Sequence, residues 1–229
     1  MKKHRHPLHP VAEKLIFSAG LDYFSTSKKS LWGPGEPETL SILSEIEIKK
    51  AGCWLDLAAG DGRYATELSN KLDKLVVADI DLGAMSKLFY RVDPNHREIL
   101  SFTQVNIKDS LPFAGNSFDG LICTGTLHLF NYTVLPAILL EMLRIIKKGG
   151  KLIMDFAVDV ERIYPDGRLF TYRGEHNYTA ISAYHVLQSV LGENLVDISE
   201  SSFEDDMTGV RGHGYKTQGK FLLIQATKR

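Results

Sequence analysis

The stretch CWLDLAAGDGRYATEL, residues 53–68, decides how this chain is read. Its first six residues, CWLDLA (53–58), are a short apolar run that stops at a glycine-rich turn, the pattern of a buried strand. From Arg63 to Leu72, the residues Tyr64, Ala65, Leu68 and Leu72 recur on one helical face. A strand, a glycine turn and a helix in that order open a βα unit. In an open α/β sheet, ligands bind at the carboxyl ends of the strands, where the strand order reverses. Glycines at such a turn let the backbone approach a ligand and let the helix pack close to the strand.

The same alternation continues outward. KLVVADI (74–80) reads as a second strand ending in an acid, and Leu82 to Val92 as a helix closed by Pro94. LSFTQV (100–105) and FDGLICT (118–124) read as the third and fourth strands, and KLIMDFAV (151–158) as the fifth. Leu135 to Ile146 is a helix ending at Lys147, Lys148 and Gly149, cations and a glycine that suit a helix C-terminus. Thr39 to Lys50 holds Leu40, Leu43 and Ile46 at helical spacing, and Val11 to Leu21 is a shorter candidate helix. Beyond Asp159 the periodicity loosens. Thr179 caps a helix running to about Gly192, and LVDISESSF (195–203) and KFLLIQATK (220–228) read as two final strands. Short apolar runs alternating with amphipathic helices predict an α/β fold: a doubly wound, mostly parallel seven-stranded sheet with helices on both faces.

Composition narrows the function. The 229 residues are 44% hydrophobic and 24% charged, ordinary for a globular domain and too apolar for a disordered chain. No apolar run is long enough to span a membrane, and MKKHRHPLHP at the start has no apolar core of a secretory signal. Two distant cysteines, Cys53 and Cys123, make no disulfide framework, so a cytoplasmic setting is the expectation. Both read as buried strand cysteines rather than nucleophiles. The net charge of −1 lacks the basic excess of a dedicated nucleic-acid binder. His4, His6 and His9 sit in a tail with no completing ligands, so no metal is expected.

The ligand is narrowed by the turn itself. A nicotinamide site wants G-x-G-x-x-G, whereas Ala58-Ala59-Gly60-Asp61-Gly62-Arg63 has no third glycine at Ala65. Asp56 and Asp61 in the turn suit a cationic ligand better than a pyrophosphate. Asp79 ends the second strand about 20 residues on, where a doubly wound fold places an acid on ribose hydroxyls.

On these motifs the chain resembles the class I S-adenosylmethionine-dependent methyltransferases, over roughly residues 50–157. VNIKDSLPFAGNSFDGLI (105–122) is similar to that family's third and fourth motifs, and LLEMLRIIKKGGKLIM (139–154) to its helix leading into the fifth strand. The sequence departs from the pattern at Ala58, where the first glycine is commoner, and at Asn106, the usual place of an aspartate. The resemblance implies a Rossmann-like methyltransferase fold with its last strand antiparallel, S-adenosyl-L-methionine as cofactor and S-adenosyl-L-homocysteine as product. It implies that Asp56 holds the methionine amino group and that Ala58, Gly60 and Gly62 pass under the cofactor. Asp79 would take the ribose, Ile80, Asn106 and Ile107 the adenine, and Thr124 the methionine part. His128 is the candidate general base or orienter. Tyr172, Arg173, His176 and Tyr178 are candidate acceptor contacts. Tyr23, Phe24 and Trp32 are candidates for a lid.

The chain then divides, as one methyltransferase domain over 1–229, into a mobile tail (1–12), a helical cap (13–50), a cofactor-binding core (51–158) and an acceptor-side half (159–229). The leading expectation is methyl transfer to a small-molecule acceptor, by a monomer or homodimer without a membrane partner. The alternative is a tRNA- or RNA-modifying methyltransferase. The stretch YFSTSKKSLWGP (23–34) faintly resembles wobble-uridine tRNA methyltransferases. CTGTLH after the fourth strand, however, lacks the Pro-Pro motif of enzymes that methylate exocyclic base amines.

Overall fold

The computed structural model describes residues 30, 33, 35–46, 52–171, 176–206 and 214–229. The expectations for the tail 1–12, the helix 11–21, Tyr23, Phe24, Trp32, Tyr172 and Arg173 lie outside those residues.

The five apolar runs form β1 (Cys53–Leu57), β2 (Lys74–Asp79), β3 (Leu100–Gln104), β4 (Phe118–Cys123) and β5 (Ile146–Ile163), joined late in the chain by β6 (Leu169–Phe170), β7 (Leu195–Asp206) and β8 (Lys216–Thr227). The main path of the sheet is β3-β2-β1-β4-β5-β8-β7, with β6 paired to β5 off that path. β1 to β5 are mutually parallel, whereas β8 runs antiparallel to both β5 and β7. The order reverses between β1 and β4, the switch point of a doubly wound sheet. Five α-helices complete the described fold: α1 (Pro37–Glu45), α2 (Ala65–Ser69), α3 (Leu82–Arg91), α4 (Leu135–Ile145) and α5 (Ala180–Leu191).

Strand side chains alternate between two faces. One face carries Leu55, Leu121, Met154 and Phe156 into a core closed by α4 and α5. The other carries Trp54, Val77, Ile122 and Ile153 into a second core with Leu43 of α1, Leu68 of α2 and Leu88 of α3. By the same alternation Asp56, Asp79, Thr124 and Asp155 share this second face. Gly120 interrupts the apolar run of β4 for a steric reason: a Cβ there would lie 2.2 Å from the Trp54 indole, which covers that position.

Several boundaries differ from the sequence expectation. The helix expected over 63–72 is the five-residue α2, because the glycine turn runs on through Tyr64 before helical geometry begins. α1 starts earlier, with Pro37 in its first turn, and ends at Glu45 rather than Lys50. α4 ends at Ile145, and Gly149 serves as a φ +78 turn inside β5 rather than as a helix cap. β5 extends past Val158 to Ile163 across an irregularity in its pairing with β8, and with β6 it gives regular structure to part of the loosely patterned segment after Asp159.

Candidate functional site

The turn after β1 is held by its neighbours on both sides. Ala59 N–H donates to the Ala78 carbonyl at 3.2 Å, and Gly60 N–H donates to Asp79 Oδ2 at 2.7 Å. Asp79 Oδ1 accepts the Asp81 N–H at 2.8 Å, and Asp81 in turn caps α3 by accepting from Gly83 and Ala84. One carboxylate therefore ties the glycine turn to the start of α3. Each of its oxygens retains acceptor capacity beyond the single bond it makes. Gly62 takes φ +80, and a Cβ on it would fall 2.5 Å from Leu88 Cγ, so α3 packs here only against a glycine. Ala58 holds φ +57, a left-handed conformation that costs a non-glycine residue about 1–2 kcal/mol. The departure from the family pattern at this position is thus a strained backbone, not a changed one.

Asp61 corrects the sequence reading. It is fully buried, pairs with Lys87 Nζ at 3.1 Å and accepts from Ser30 Oγ at 2.6 Å. Arg91 adds bonds to the carbonyls of Asp61 and Gly62. Its charge is answered inside the protein and is not offered to a ligand. Ser30 and Glu36 also bring the cap segment onto the turn: Glu36 N–H donates to Tyr64 Oη at 2.9 Å, and its carboxylate stands 3.9 Å from Arg63.

Asp56 is the acid left for a cation. It is 4% exposed, and burial, reinforced by the charge of Asp79, pushes its pKa up to about 7. Burial also raises Asp79, against the opposing effect of the N–H bonds it accepts. A third acid on this face, Asp155, was not singled out from the sequence. Burial raises it to about 6, while its bond from the Gly125 N–H opposes the shift.

These shifts give a pH dependence. An unfolded aspartate releases its proton near pH 4. The folded, ligand-free protein retains those of Asp155 and Asp56 until about pH 6 and 7. Between pH 4 and 7 the folded state binds more protons than the unfolded state, so stability falls as pH rises through that window. The apo protein should melt higher at pH 5 than at pH 8, and Asp56→Asn should flatten the profile. A variant whose thermal profile keeps the wild-type slope would contradict this account.

Around the turn, Ile80 is 37% exposed, an apolar side chain beside Asp79. Asn106 is half-buried and shapes its own turn by accepting from Lys108 and Asp109, while Ile107 is buried. Thr124 directly follows β4 and Ala58 directly follows β1, each two residues beyond the Asp56–Ile122 pair. His128 lies in a short 3₁₀ turn after β4, with its Nδ1 buried and without a hydrogen-bond partner among the described residues. Burial, aided by the Arg162 charge, pushes its pKa down to about 4, so the imidazole is neutral at pH 7. Tyr178 is buried and donates to the Phe130 carbonyl at 2.7 Å; it packs edge-on to Phe156, Tyr132 and His176. That places Tyr178 in the core rather than on an open acceptor surface. His176 is half-buried, and its Nε2 has no hydrogen-bond partner among the described residues. Cys123 is fully buried, and burial raises its thiol far from thiolate character.

Comparison with known proteins bears on this arrangement. The methyltransferase domain family is matched over residues 55–154. A demethylmenaquinone methyltransferase of Corynebacterium urealyticum is 36% identical over 107 residues, 46% of this chain and 42% of that protein. The chain therefore spans less than half the length of that relative. Among solved structures, TehB from Haemophilus influenzae superposes with a TM-score of 0.64 at 16% identity, covering 91% of this chain and 66% of TehB. Phosphoethanolamine N-methyltransferase 1 of Haemonchus contortus, solved with phosphoethanolamine and S-adenosylhomocysteine, gives 0.56 at 16% identity over 87% of this chain and 44% of its own. No described helix is long and apolar enough to cross a membrane. The family match spans the glycine turn and Asp79, and the sheet order β3-β2-β1-β4-β5-β8-β7 belongs to a fold that the chain shares with these solved methyltransferase structures.

Proposed function

We propose that the protein transfers the methyl group of S-adenosylmethionine to a small-molecule acceptor by in-line displacement. The observation that carries this reading is the carboxylate of Asp79, buried at the carboxyl end of β2 one strand from the switch point, linked to Gly60 and still able to accept from a ribose hydroxyl pair. The fit extends to charge. Asp56 in the same turn is a buried acid raised toward neutrality, a state that a ligand ammonium would reverse. Exposed Ile80 offers an apolar edge for an adenine, and Asn106 and Ile107, after β3, are the further candidates for contacting the base.

The bound sulfonium would supply an activated methyl group. The chain's own residues would then align the nucleophile and exclude water rather than perform demanding covalent chemistry. In this reading Thr124 borders the methionine part, and His128, held neutral because burial and the Arg162 charge disfavour its imidazolium, orients the acceptor rather than taking its proton. His176 belongs to the acceptor side with Tyr172 and Arg173, and Tyr178 supports their wall from the core.

The test is calorimetric titration with S-adenosylmethionine and S-adenosylhomocysteine, followed by labelling with radioactive methyl. Micromolar binding and label on a metabolite fraction but not on bulk tRNA are the expected results. Salt-sensitive label on tRNA would instead select the RNA alternative. A folded, cofactor-free sample that binds neither nucleoside would overturn the enzymatic reading.

A further inference from the structure

Asp155 is the buried acid to which the cofactor reading gives no task. Its neighbour Met154 pairs with Cys123, so Asp155 flanks Thr124 just where β4 ends. It is 1% exposed. Its Oδ1 accepts the Gly125 N–H at 2.6 Å, whereas its Oδ2 is buried with no hydrogen-bond partner among the described residues. A dry, unanswered carboxylate oxygen is destabilising, and an apolar side chain of similar size would pack there without that penalty. The surrounding backbone nevertheless holds the carboxylate in place. Gly125 adopts φ +66, and a Cβ on it would meet nothing within 4 Å, so the glycine provides backbone geometry next to open space. Arg63 and Glu36, from the glycine turn and the cap segment, act on the Asp155 charge with opposite signs.

Building on the methyltransferase reading, we propose that Asp155 Oδ2 receives the N–H of an amine acceptor at the methyl-transfer position, which makes the protein an N-methyltransferase of small amines. Charge favours an amine over a hydroxyl. A neutral amine becomes an ammonium as it is methylated, and its lone pair forms the N–CH3 bond while the CH3–S bond breaks with its electron pair left on sulfur. The positive charge then develops on nitrogen beside Asp155, and the product departs as the ammonium with no proton transferred to the protein. A hydroxyl must first move toward an alkoxide by releasing its proton, and Asp155 together with Asp56 on the same sheet face opposes that negative charge.

Sinefungin tests this directly. In it a carbon bearing a primary amine replaces the methyl-bearing sulfur, so its ammonium occupies the transfer position. Wild-type protein should bind sinefungin at least about 10-fold more tightly than S-adenosylhomocysteine, the effect of one charge-assisted hydrogen bond. Asp155→Asn keeps the acceptor for Gly125 N–H. It should erase the preference while S-adenosylhomocysteine affinity stays within about 3-fold, well below the energy of such a bond. Equal weakening of both ligands would assign Asp155 to the shared methionine part and overturn the proposal. A preference that survives in the variant, or is missing from wild type, would overturn it too. The wild-type comparison decides alone if the variant does not fold. Failure of wild type to bind S-adenosylhomocysteine at all is a different result, and it would remove the methyltransferase reading itself.

Discussion

Replacing Lys87 with methionine should destabilise the protein by about 3–5 kcal/mol, because it leaves the Asp61 carboxylate charged and buried without its cation. The side chains of Lys87 and Asp61 are 7% and 0% exposed and stand 3.1 Å apart, so water cannot substitute for the missing ammonium. Ser30 Oγ would remain as a neutral donor to Asp61. Urea titration of the Lys87→Met variant should give a lower midpoint with an unchanged slope. The double variant Lys87→Met with Asp61→Asn should recover more than half of the loss, since no buried charge then remains. A single variant within 1 kcal/mol of wild type would mean that the pair contributes nothing and that the turn is held by its backbone bonds alone. The consequence for the site is direct, because Asp61 lies between Gly60 and Gly62 and anchors the turn proposed to pass under the cofactor.

Asp79→Ala should weaken S-adenosylhomocysteine binding by about 1.5–3 kcal/mol, roughly 10- to 150-fold, the range for hydrogen bonds to a charged group. The variant loses the proposed ribose contact and also releases the Gly60 and Asp81 N–H groups that the carboxylate holds. The two effects separate with the 2′-deoxy analogue of S-adenosylhomocysteine. Wild type should discriminate against the analogue, and the variant should bind both nucleosides alike. If the variant weakens both ligands equally and still discriminates, Asp79 serves only the turn, and the ribose is held elsewhere.

The parts of the fold readable from sequence are those with local causes. CWLDL, KLVVAD and FDGLIC are continuous apolar runs bounded by turn residues, and their strands fall within one or two residues of expectation. The glycine positions in the first turn were readable because that turn takes positive φ at residues 58, 60 and 62. What escaped depends on partners distant in sequence. Asp61 looked like a ligand group because Lys87, 26 positions later, is an ordinary polar residue of an amphipathic helix until α3 folds against the turn. Asp155 was invisible as a functional residue because a single acid in KLIMDFAV marks only a break in an apolar run; its orphaned oxygen exists only in three dimensions. Tyr178, a candidate acceptor contact, is buried with its hydroxyl donating to the Phe130 carbonyl, a partner 48 positions earlier in sequence. The extension of β5 to Ile163 was hidden because its outer residues alternate in a polar setting and owe their conformation to pairing with β8 and β6.

The position of β8 has a consequence for how the chain assembles. Among the described residues β7 joins the sheet only through β8, and β8 lies between β5 and β7 although it follows both in sequence. During ribosomal synthesis, β1 to β5 can pair as they emerge, so the ligand-facing half can form early. β7 must wait for Lys216–Thr227 to be made, leaving the outer edge of β5 bare in the interval. An unpaired strand edge is a template for pairing with another chain. Truncation before Lys216 would make that interval permanent, and the expected product is an aggregating polypeptide rather than a smaller binding domain.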